Sequence, residues 1–120
     1  MFKTLRSISI LVTGLTIISS ASAANATALY FERVLVRTSS EATCYRFANY
    51  TARILQFQNI RSSRLEVAGE KNGVYMSITC IGRGQTNAMA VVMAASPTFD
   101  VAKQVGIETA NKLKGITNID

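Results

Sequence analysis

The 120-residue sequence contains no histidine and no tryptophan, one proline and two cysteines. Without histidine, the side chain that most often moves protons near neutral pH is missing, as is the commonest metal ligand. Two cysteine sulfurs alone would leave a tetrahedral zinc site half filled. Cys44 and Cys80 also lie too far apart for a Cys-x-x-Cys redox motif. No metal and no cofactor is therefore expected. There is no linker, internal repeat or low-complexity segment, and the 13 basic residues against 7 acidic ones form no consecutive run. Such thin positive charge favours solubility and names no partner.

Nucleophilic catalysis is equally unsupported. No Gly-x-Ser-x-Gly elbow is present, and no histidine stands ready to activate a hydroxyl. The carboxylates fall mostly where solvated positions are expected, Glu108 on the polar side of the last helix among them, apart from Glu32, which sits mid-strand and is expected to face solvent or pair across the sheet. Gly82-Arg83-Gly84 has the look of a phosphate loop, but it joins two strands rather than opening a helix and reads as a turn. No catalytic residue is assigned, and the protein is expected not to be an enzyme.

The N-terminal segment is ordered like a secretory signal. Lys3 and Arg6 precede an apolar run, Ile8 to Ile18, and small residues from Ser19 to Ala23 end in Ala-x-Ala. That run is short against the roughly 20 residues that span a bilayer. Residues 1–23 therefore read as a cleaved signal peptide and 24–120 as a single α+β domain. No stable membrane anchor is expected after cleavage. Losing Lys3 and Arg6 would lower the charge from +6 to about +4. The expected destination is the periplasm, with secretion as the alternative. Asn25-Ala26-Thr27 and Asn49-Tyr50-Thr51 match the glycosylation pattern, which matters only in a eukaryotic secretory route.

Along the domain, Leu29 to Arg37 is rich in aromatic and β-branched residues and predicts a strand. Thr38 and Glu41 have capping-box spacing, and a helix is expected to follow to about Gln58. Cys44, Phe47, Ala48, Thr51, Ile54 and Leu55 form its inner stripe. Arg64–Gly69 alternates as a strand, Asn72-Gly73 predicts a type I′ turn, and Val74–Ile81 and Asn87–Ala95 predict two more strands. Ser96 and Pro97 are expected to open a last helix, stopped at Gly115. The order β-α-β-β-β-α implies a two-layer sandwich with both helices on one face of a mainly antiparallel four-stranded sheet. Cys44 on the helix stripe and Cys80 on the strand face of Val74, Met76 and Ile78 would then meet as one disulfide, as an even cysteine count in an exported chain suggests.

The helix, three strands and second helix share their order with double-stranded RNA-binding domains. The final helix, however, opens with Asp100 rather than a basic cluster, so no nucleic-acid partner is expected. What remains is surface. Tyr75, Ser77 and Thr79, with Ile81, share the strand parity that faces away from the helices, beside Met89, Val91 and Met93. These form a semi-apolar patch expected to engage a protein partner or a second copy of the chain. The alternative is a groove rimmed by Arg61, Arg64 and Arg83 that binds a small molecule or an anionic envelope polymer.

Overall fold

Seven elements run in the order strand, helix, four strands, helix in a computed structural model that describes residues 27–117. They are β1 (Ala28–Leu35), α1 (Glu41–Ile54), β2 (Gln58–Ser62), β3 (Val67–Lys71), β4 (Val74–Ile81), β5 (Met89–Ser96) and α2 (Phe99–Gly115). The expected signal segment, and Asn25 and Ala26 of the first sequon, lie outside the described residues. The strands form one antiparallel sheet of five, ordered β1-β5-β4-β3-β2, rather than the four expected.

The additional strand is β2, which begins at Gln58, the expected end of the first helix, and runs through residues that the sequence pattern assigns to no element. α1 stops early through a Schellman closure. Gln56 adopts φ 65°, its N–H bonds to Arg53 O, and the Phe57 N–H bonds to Ala52 O. Glycine usually fills that left-handed position; glutamine gives no such signal. Phe57 then turns into the core, and β2 leaves as a polar edge strand with a bulge at Asn59, φ 53°.

Helix starts are also displaced. Ser40, not Thr38, caps α1 by accepting from Thr43 N at 3.1 Å, while Thr38 Oγ1 accepts from Ser40 N. Glu41 reaches across to Gly82 N instead of back to its own cap. At α2 the cap is Thr98, whose N–H bonds to Ser96 Oγ, so Pro97 precedes the helix. Gly115 is its last helical residue, without a positive φ. Leu65, within the stretch expected to be strand from Arg64, instead stands 76% exposed in the turn before β3.

Both helices cover the face formed by the even-numbered residues of β1, β4 and β5, α2 lying over β1 and β5 and α1 over β3 and β4. Val74, Met76, Ile78, Ala90, Val92 and Ala94 meet Phe47, Ala48, Ala102, Val105 and Leu113 there. The disulfide Cys44–Cys80 joins α1 to β4 within this interface, with Cα atoms 6.1 Å apart. At the other end, Tyr30 lies against the bare backbone of Gly106, packs edge-on to Phe99 and donates to Glu32 Oε1. That bond to a carboxylate raises the Tyr30 phenol above its usual range. Glu32 thus sits on the helix side of β1, held by its neighbour two residues away.

Two buried threonines differ in a testable way. Thr109 Oγ1 donates to Val105 O at 2.8 Å, whereas Thr51 Oγ1 finds no hydrogen-bond partner among the described residues. A buried hydroxyl without a partner carries its full desolvation penalty. Thr51→Val keeps the branched shape and removes the hydroxyl, so it is expected to raise stability by about 1 kcal/mol in denaturant melts. A drop in midpoint would show that the hydroxyl is satisfied.

Candidate interaction surface

The odd-numbered residues of β1, β5 and β4 point away from the helices, and no helix among the described residues covers them. Strand pairing arranges them in rows. One row runs Leu29–Ala95–Tyr75–Glu70, and the next Phe31–Met93–Ser77–Ala68. The third runs Arg33–Val91–Thr79, continued by Glu66 just before β3, and the last is Leu35–Met89–Ile81. Tyr75, Ser77, Thr79, Met89, Val91 and Met93 are thus brought together, as their parity predicts. The sequence reading had not placed Leu29, Phe31 and Leu35 on this face. Their own alternation was a signal, but only the pairing of β1 with β5 joins them to the patch.

Among the described residues ten large apolar side chains are exposed, and six of them, Leu29, Phe31, Leu35, Tyr75, Ile81 and Met93, stand on this one face. Scattered apolar residues are ordinary on any protein; a contiguous set is not. Relief varies across it. Phe31 stands 61% exposed, whereas Ser77 and Ala68 are sunk at 5% and 1%. Ser77 donates to Glu66 Oε1 at 2.6 Å, which holds the carboxylate over the face. Arg33 is exposed and has no ion-pair partner among the described residues.

Arg61 lies on the β2 side of the same face, but it is engaged. It meets Glu70 at 2.7 Å and covers the Tyr75 ring at 5.8 Å. Arg61, with help from Asn59, holds the Glu70 carboxyl below its usual range, and Glu70 raises Arg61 in turn. Arg83 belongs to the β4–β5 loop, where its Nε donates to Asn87 O. Arg64 is exposed in the β2–β3 turn. None of the four clefts described here is lined by any of these three arginines.

The largest of these four, about 830 Å³, lies between Leu55–Asn59 and Glu70–Gly73. Its one cation, Lys71, is a strut: Nζ donates to Leu55 O at the end of α1 and to Glu108, and lies over the Phe57 ring. A second cleft of about 440 Å³ runs beside α1, where Asn49 of the second sequon donates to Ser62 Oγ. Neither gathers a nucleophile and a base. Comparison with protein-family models, curated proteins and solved structures found no match. The surface must be read from its own chemistry.

Proposed function

We propose that the chain is a small exported binding or accessory protein, without catalytic activity, that engages a protein partner through the uncovered sheet face. The observation that carries this reading is the gathering of six exposed large apolar side chains on three adjacent strands. Half-buried Val91, Met89 and Thr79 fill the space between them. A flat apolar face with polar margins matches the anatomy of a protein interface, whose centre is depleted of charge. The Cys44–Cys80 bridge is compatible with an oxidising compartment, and together with the N-terminal pattern it supports a periplasmic or secreted destination. The anion-binding alternative draws less support, because Arg61 and Arg83 are already engaged and Arg64 stands apart from both.

The test is capture of the tagged protein from its own exporting cells at native level, with the bridge intact. Partners so found are then reconstituted with purified variants. Val91→Glu is expected to weaken the interaction at least ten-fold and Met89→Glu, in the last row, by less, since a charge at the centre of a desolvated patch costs more than a rim substitution. Unchanged association for these variants and for Tyr75→Ala would sink the reading. Salt-sensitive retention on an anionic matrix, lost on removing Arg61, Arg64 and Arg83, would replace it with the alternative.

A further inference from the structure

We infer that the partner on the sheet face is a second copy of the chain, related by a two-fold axis running nearly parallel to the strands above the seam between β5 and β4. The inference rests on the sheet face being a protein-binding surface and adds the occupant. Such an axis exchanges the two ends of every row. In the third row, Arg33 would come to lie over Glu66 of the second copy, and Glu66 over its Arg33. Among the described residues the Arg33 end of the row lacks an ion pair, and the Glu66 carboxylate is already tethered over the face by Ser77.

The same operation matches relief as well as charge. In the second row it sets Phe31, the most exposed large apolar side chain of the face, over sunken Ala68, and Met93 over sunken Ser77. In the first row Ala95 falls over Tyr75 and Leu29 over Glu70, whose carboxylate is already paired with Arg61, and in the last Met89 falls over Ile81. Large side chains thus oppose small ones in the second row and in the middle of the first. An axis across the strands does neither. It would lay β1 on β1 and β3 on β3, collecting Glu66 and Glu70 of both copies on one side and both Arg33 side chains on the other.

Sheets packed face to face sit about 10 Å apart with strands crossing at roughly 30°. The long side chains of Arg33 and Glu66 span the resulting offset. Four strands about 4.8 Å apart and up to eight residues long present roughly 450 Å² in flat projection. The accessible area of standing side chains is larger, which brings each copy towards the roughly 800 Å² per partner of a stable interface. Within one copy Arg33 and Glu66 are three strand spacings apart, about 14 Å, too far to pair with each other.

The experiment is sedimentation equilibrium on the oxidised protein, using Arg33→Glu, Glu66→Arg and Phe31→Glu, each first checked for native circular dichroism. The wild type is expected to dimerise. Arg33→Glu and Glu66→Arg are each expected to weaken the dimer about ten-fold or more, because each sets like charges face to face. Mixing those two variants should restore association as a heterodimer within a few-fold of wild type, since one then carries two acids and the other two arginines at the exchanged positions. Phe31→Glu should abolish it.

A wild type that stays monomeric at 100-fold the protein concentration of the capture experiment overturns the inference. So does a dimer indifferent to Phe31→Glu, or two charge variants that fail to rescue each other. If the protein is monomeric yet a different purified protein binds and is released by Phe31→Glu and Val91→Glu, the sheet-face reading stands and only the second copy is wrong. If neither self-association nor any partner responds to these substitutions, both fall.

Discussion

Reducing the Cys44–Cys80 bridge is expected to lower the free energy of unfolding by about 4 kcal/mol, by the chain-entropy estimate for a loop of this length. The bridge closes residues 44 through 80, which include most of α1, β2 and β3 and nearly all of β4. Both sulfurs are buried, so reduction leaves two small, weakly polar thiols in the same packing, and most of the change falls on the unfolded chain. A single domain has about 5–15 kcal/mol to lose, so the reduced protein should retain only about 1–11 kcal/mol. Denaturant melts with and without reductant give the number. A difference under about 1 kcal/mol would mean that the reduced unfolded chain already holds α1 near β4. The loss should also be local. Around Cys44 the Glu41 carboxylate accepts from Gly82 N, and the Tyr45 hydroxyl reaches Leu65 O and Cys80 O, so the start of α1 is tied to the end of β4 at several points. Hydrogen exchange after reduction should quicken in α1 before α2, whose hold on the sheet involves β1 and β5 instead.

That bridge was legible because two periodicities converge on it: Cys44 lies on the three-four stripe of a helix and Cys80 on the inner parity of a strand. β4 was legible for a related reason. The Asn72-Gly73 turn, φ 53° and 77°, sets its start, and alternation carries it through to Ile81. β2 was hidden because Gln58, Asn59, Ile60, Arg61 and Ser62 show neither period. An edge strand that is nearly all exposed and bulged needs no apolar alternation, and its pairing with β3 is a tertiary fact. The interaction surface was half visible. Met and Tyr on β4 and β5 mark one side of the sheet, but β1 carries large apolar residues at both parities. Tyr30 and Val34 go to the helices, and Phe31 and Leu35 go outward. Composition cannot say which side of such a strand is covered.

Gly106→Ala is expected to destabilise the protein by about 1–2 kcal/mol, against the ordinary preference of helices. Gly106 lies in the middle of α2, where alanine normally adds roughly 1 kcal/mol over glycine. Here a Cβ would overlap Cδ2 of Tyr30 and lie 2.8 Å from Cε2, with Ala94 Cβ at 3.6 Å behind it. The ring cannot swing away at little cost, because Phe99 packs edge-on against it at 6.2 Å and its hydroxyl is bonded to Glu32. Overpacking of this kind typically costs 1–3 kcal/mol, which outweighs the gain in helix propensity. A double-mutant cycle separates the two terms. In a Tyr30→Ala background, already weakened by loss of the ring, the same Gly106→Ala change should become stabilising by up to about 1 kcal/mol, because only the propensity term remains. A destabilisation of equal size in both backgrounds would place the conflict elsewhere, with Ala94 and the helix backbone as the remaining neighbours. Reversal of sign would instead show that the seat of α2 on β1 is set by one aromatic ring lying on one bare backbone. Because Tyr30 alternates with Leu29 and Phe31 along β1, that seat also holds in register the strand that carries the most exposed part of the interaction surface.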